Sequence, residues 1–317
     1  MNDTKMSLKA RPSQVKRWGQ FAALLLALCW TSAAQADLNV VATLPDFGAL
    51  AAEIGGEHVT IQTLVNPNED PHYVDPKPSH VVRLNKADML IANGLELEVG
   101  WLPPLQSQAR NPKILVSGRG FLDASTCLTK LMEVPVGRIT RDQGDIHPGG
   151  NPHFIHDPRA MAQIARCIGK RMARQDAELA DHYTSRAEAL ATSLEAFANE
   201  TRQKFEALEA DKRRVITYHR SMVYLVDWLR LQRPVNIEPK PGVPPTPSHT
   251  ATVLKMMKGQ GIDVILQESY YPRKTSDTLA KLGKGQVVVI QAGTSGKQTY
   301  LERMRTVTEE LYNAMAQ

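Results

Sequence analysis

From residue 38 onward, short apolar runs alternate with stretches in which apolar residues recur every three or four positions. Residues 38–44 are apolar and β-branched, 47–54 carry a helical period, and 58–65, 89–92 and 114–117 read as three further strands. Residues 118–150 are less regular and are punctuated by Gly118, Gly120, Gly144, Gly149 and Gly150. A helix is predicted from Pro158, with Asp157 as its cap, to about residue 173. Leu179, Tyr183, Ala187, Leu190, Leu194, Phe197 and Phe205 then recur at helical spacing with no Gly or Pro between them. That pattern predicts one helix over 175–208, about 50 Å long at about 1.5 Å per residue. Such a helix outreaches a small domain, so it bridges two lobes; a coiled-coil dimer is the alternative, but the apolar positions keep no strict heptad.

After it the alternation resumes. Strands are expected at 215–218, 264–267 and 287–290, ending in His219, Glu268 and Gln291, with a helix at 222–231 and a closing amphipathic helix at 298–316. Strands alternating with helices imply parallel sheets covered on both faces. The expected fold is therefore α/β: two lobes, each a parallel sheet covered by helices, joined by one long rigid backbone helix. The boundaries fall at 37–174, 175–210 and 211–317.

The first 36 residues stand apart. Lys5, Lys9, Arg11, Lys16 and Arg17 form a basic head, 21–30 is an apolar run too short for a membrane span, and Ala34-Gln35-Ala36 is a small-x-small cleavage signature. A secretory signal peptide cleaved after Ala36 is expected; lipidation at Cys29 is disfavoured by Leu28 and Trp30, and no later apolar run approaches spanning length. This changes the charge picture. Of 38 basic and 33 acidic residues, five Lys/Arg and one Asp lie in the leader, so the remainder falls from a net +5 to about +1. Nothing then argues for nucleic acid as partner. Cys127 and Cys167 remain after cleavage; in an oxidising compartment they could pair, and spacing alone leaves that open, while neither sits in a CxxC or CxxH motif.

The candidate chemistry is histidine-based. His72 lies in a loop stiffened by Pro71, Pro76 and Pro78, at the carboxyl end of a predicted strand, where α/β sheets bind ligands. A lone loop histidine is usually structural, but the device recurs: Pro152 precedes His153 and the Asp157-Pro158 pair follows it. His219 and Glu268 sit just past strand ends in the second lobe, so the four face one another across a cleft. A hydrolase reading lacks support, since neither HExxH nor GxSxG occurs. Tyr270 and Tyr271 read as cleft lining or core.

The segments DPHYVDPKPS, ADMLIANGLELE, GNPHFIHDP, TYH and ILQESYY, in this order, resemble the zinc/manganese solute-binding receptors of ABC importers, the ZnuA/TroA type, over essentially all of the chain after the leader. The resemblance implies two lobes on one rigid helix, a metal held between them, and delivery to an ABC permease in the inner membrane by a periplasmic monomer. By position, His72, His153 and His219 match three ligands, and the acidic fourth ligand would fall at Gln291, where this sequence departs. Imidazoles without that carboxylate favour Zn(2+) over Mn(2+). The fourth position is then a water, Glu268, His147 or His249, with Glu268 placed first because its strand is next in order to that of His219. Its alternative role is to orient a ligand or cap the next helix. His156 is a candidate for orienting a ligand residue, and His80 and His182 are expected as exposed helix residues. The stretch 123–150 is poor in His and Asp for a metal-gathering loop, which leaves room for a periplasmic zinc metallochaperone. A manganese or iron receptor, a surface adhesin and an exported zinc-dependent hydrolase are the competing functions.

Overall fold

The computed structural model describes Met1, residues 37–136 and residues 146–317. The leader expected over 1–36 and much of the loop at 138–150 lie outside the described residues. The first sheet has four parallel strands in the order β2-β1-β3-β4: β1 Leu38–Ala42, β2 Val59–Thr63, β3 Met89–Ala92 and β4 Phe121–Asp123. Its central strand β3, MLIA, is buried throughout, as a strand covered on both faces must be. Helices α1 Pro45–Gly55, α2 Pro78–Lys86 and α3 Leu102–Ala109 connect the strands, each entered through a proline in its first turn.

The fourth strand is not where the apolar run 114–117 placed it. Asn111 and Pro112 fold Pro112–Ile114 into a 3-10 turn capped by the Asn111 side chain, Ile114 is buried, and Leu115 and Val116 point to solvent. Phe121 and Leu122 make the pairing with Leu90 and Ile91 instead. Gly120 is required there, because a Cβ would stand 2.0 Å from the Asp88 carbonyl oxygen.

Next come α4 Pro158–Gln175 and α5 Ala180–Glu206. The helical period ran unbroken from 175, but Asp176 leaves helical geometry at φ −134°, ψ 91° and accepts a hydrogen bond from the Tyr183 hydroxyl at 3.1 Å. The two helices thus form a hairpin, with Gly169 so close to α5 that a Cβ would come within 2.4 Å of the Ala187 Cβ. At 27 residues, α5 is about 40 Å long. Its first turns hold α1, through Arg186 to the Glu53 and Ile54 carbonyls and His182 to the Gly55 carbonyl. Its later turns hold the second half, through the Trp228 indole N–H to the Ala198 carbonyl and the Phe205–Tyr312 ring contact. His182 is half-buried, and His80, expected exposed, is buried: it sits in the first turn of α2, where its Nδ1 accepts from the Lys77 backbone N–H.

The second half has a three-stranded parallel sheet, β5-β6-β7, of Ile216–Thr217, Val264–Glu268 and Gln286–Ile290. Around it lie α6 Val223–Trp228, α7 Pro247–Gln260, α8 Arg273–Gly283 and α9 Tyr300–Met315, the last opened by a Thr299/Glu302 capping box. One continuous core runs from β1 and α1 through α5 to β7 and α9, and a smaller one fills the other face of the second sheet. Arg303 on α9 crosses between halves, fully buried, with its Nε 2.9 Å from Asp46 Oδ1 on α1. Cys127 and Cys167 form a disulfide that ties the turn after β4 to α4.

Candidate metal centre

The four histidine rings that come together each arrive on a braced turn. Past β2, Asp70 Oδ1 accepts from both the backbone N–H and the Nδ1 of His72, at 3.0 and 2.8 Å. Burial pushes the Asp70 carboxyl up, but the hydrogen bonds and charge of His72 outweigh it and hold the group below its usual value. The turn is pinned from behind by buried Trp101, whose indole N–H donates to the Pro71 carbonyl at 2.9 Å. The second turn repeats the arrangement: Asn151 Oδ1 accepts from the N–H and the Nδ1 of His153, both at 3.0 Å. His219 follows β5, with its Nδ1 2.6 Å from Glu238 Oε2, and both side chains are buried. His147 places its Nδ1 2.7 Å from the Leu95 carbonyl oxygen.

In all four rings Nδ1 faces an oxygen that can only accept, so Nδ1 carries the hydrogen and the Nε2 of the neutral ring carries the lone pair. For His153 the assignment is firm, because the same Asn151 oxygen also takes a backbone N–H. His153 is held well below the ordinary imidazole pKa by burial, and then by the charges of His72, His219, His147 and His156.

Ring centroids are 5.1 Å apart for His72–His153, 5.4 Å for His153–His219, 5.4 Å for His72–His147 and 6.3 Å for His72–His219. Imidazoles bound through Nε2 to one tetrahedral zinc at about 2.0–2.1 Å would have centroids about 5.2 Å apart. Three separations are near that value and the fourth is about an ångström wider. Among the described residues no group of three or more His, Cys, Asp or Glu side chains is placed so that it could hold a metal ion without rearrangement.

The other candidates are placed differently. Glu268 ends β6, buried, with Oε1 3.8 Å from the His156 Nε2 and 3.4 Å from the Tyr270 hydroxyl. Burial raises its pKa and lowers that of His156. His249 turns its Nε2 to the Asn236 carbonyl at 3.0 Å, and the Gln291 amide donates to the Gly293 carbonyl at 2.6 Å. Tyr271 stacks on Tyr218 at 4.5 Å and lies 5.8 Å from the His219 ring. Sequence reasoning missed the orienting residues Asp70, Asn151 and Glu238. The first two had a signal, Asp-Pro-His and Asn-Pro-His; Glu238, 19 residues beyond His219, had none.

Two α/β halves that present imidazoles to one cavity define a metal-binding receptor of the ABC-importer kind, a class of capture proteins rather than enzymes. A family model described as zinc-uptake complex component A, periplasmic, matches residues 40–314, and the chain belongs to that family. It is 23% identical over 253 residues to the manganese ABC transporter substrate-binding lipoprotein PsaA of Streptococcus pneumoniae, covering 77% of this chain and 76% of the relative. It is 22% identical over 260 residues to the iron ABC transporter substrate-binding lipoprotein MtsA of Streptococcus pyogenes serotype M1, at 79% and 78% coverage. The crystal structure of ZnuA superposes with a TM-score of 0.73 at 21% identity, covering 88% of this chain and 99% of that one, a likeness of fold. Among the described residues no helix is long and apolar enough to cross a membrane.

Proposed function

We propose that this protein captures zinc in the periplasm and delivers it to an ABC permease. The observation that carries the reading is the set of four imidazoles, His72, His147, His153 and His219, each with its Nδ1 engaged by an oxygen, so that the neutral ring carries its metal-binding lone pair on Nε2. Such oxygen partners fix ring orientation and raise ligand basicity. Neutral imidazoles suit zinc, whereas a manganese site wants hard carboxylate oxygens, and Gln291 supplies none. His147 is the better fourth donor. Glu268, which the sequence favoured, has its carboxylate 3.8 Å from the buried His156 Nε2, and burial raises its pKa.

The disulfide supports an oxidising compartment, in line with the leader read in the sequence. The shared core and the Asp46–Arg303 pair favour small closure, an inward shift of about 1 Å by His219 to reach zinc-ligand spacing. We take the lobes as 37–174 and 211–317, acting as a monomer, with loading by free zinc or a metallochaperone. The test is a competition titration of the purified chain with Zn(2+) and Mn(2+), together with metal analysis of protein taken from its own compartment. One zinc per chain, not displaced by excess manganese, is expected; displacement by manganese at comparable concentration would reject zinc as the cargo.

A further inference from the structure

The cavity lined by His147, His153 and His219 also carries Glu133 and Arg220. Glu133 sits in the left-handed region at φ 49°, a conformation a side-chain-bearing residue holds only when its surroundings impose it. Its Oε2 accepts from Asn151 Nδ2 at 3.1 Å and from Arg220 Nε at 3.0 Å, and its Oε1 from an Arg233 terminal nitrogen at 3.2 Å. Asn151 is the residue that orients His153, and it also donates to the Arg220 carbonyl at 3.0 Å. Arg220 immediately follows His219. One carboxylate therefore joins the turn of an imidazole in the first half to that of an imidazole in the second. It also faces two guanidinium charges at the rim, where the Arg220 side chain is 35% exposed.

We infer that Glu133 is a positioning residue for metal capture, holding the His153 and His219 turns in register and cancelling guanidinium charge on the path of the incoming cation. The inference rests on the zinc-receptor reading. With an amide in place of the carboxylate, one oxygen is left to accept from Asn151 and both arginines and an N–H donor faces the others, while the rim gains a full positive charge that repels a divalent cation. Removing Arg220 as well returns the local net charge to its original value without restoring the brace. The two roles thus separate in the kinetics.

The test compares wild type, E133Q and E133Q/R220Q, each purified metal-free. Zn(2+) affinity is measured against a chromophoric chelator, association and release by stopped flow at several salt concentrations, and folding by calorimetry. E133Q is expected to bind zinc about 10- to 100-fold more weakly, the range for loss of a group that orients metal ligands. Its association should be slower, by a margin that shrinks as salt rises, and its release faster. The double variant should regain the association rate and keep the fast release. Equal affinity of E133Q and wild type would overturn the inference, as would a loss that merely follows a lower Tm with association unchanged. A wild-type chain that fails to bind zinc would overturn the functional reading itself.

Discussion

Replacing His147 by Ala decides between the two candidates for the fourth donor. The His147 ring lies 5.4 Å from that of His72, close to the roughly 5.2 Å expected for two imidazoles on one tetrahedral zinc. Glu268 has its carboxylate 3.8 Å from buried His156, and among the described residues no contact ties it to the His72, His147 and His153 rings. Four-donor protein sites hold zinc with about 10–16 kcal/mol at neutral pH, so one donor of four carries about 2.5–4 kcal/mol. At about 1.4 kcal/mol per factor of ten, that is roughly a 60- to 700-fold loss of affinity, and a water entering the vacated position brings the expectation to the lower end, about 100-fold. Glu268→Gln keeps the shape and should change affinity by less than about threefold, a few tenths of a kcal/mol. The assay is zinc competition with a chelator of known affinity, with the thermal midpoint of each metal-free variant as control for folding. The reasoning is refuted if His147→Ala binds zinc like wild type while Glu268→Gln loses about two orders of magnitude, or about 2.7 kcal/mol.

Three further outcomes follow from the packing. Burial holds His153 and His156 well below the ordinary imidazole pKa of about 6.5, so the unfolded chain takes up protons that the folded chain refuses. Their contribution to stability is full above about pH 6.5 and falls as pH drops below it; His156→Gln should flatten the pH dependence of the metal-free Tm there, and an unchanged slope would contradict this. Reducing the Cys127–Cys167 disulfide, whose partners are 40 residues apart, should cost about 4 kcal/mol by loop entropy and weaken zinc binding, because the loop it closes carries His147 and His153; calorimetry and zinc titration with and without reductant measure both. Arg303→Ala strands the buried Asp46 carboxylate and should cost about 3–5 kcal/mol in urea unfolding, whereas the double change Asp46→Leu with Arg303→Met should cost much less.

Much of the fold was legible because buried parallel strands leave unmistakable apolar runs: 89–92 and 264–267 fell within a residue of β3 and β6. The failures have physical causes. The run at 114–117 is as apolar as a strand, yet the Asn111 cap and Pro112 turn it, and pairing passes to a three-residue strand with little pattern of its own. The start of α5 was read five residues early because Asp176 ends α4 without a Gly or Pro to announce it. Helix α7 left hardly any signal, since only Val253 and Met257 of its residues are buried. At the candidate site, proline-braced turns and strand ends pointed to His72, His153 and His219. His147, followed by Pro148 but at no predicted strand end, is gathered by a contact with Leu95, 52 residues away in the chain.

The central claim is that imidazoles from both halves share one cation, and zinc K-edge X-ray absorption on the loaded chain tests it most directly. Four nitrogen donors at about 2.0–2.1 Å, with the outer-shell scattering of at least three imidazoles, are predicted. A first shell dominated by oxygen, or one with fewer than three imidazoles, would contradict the account.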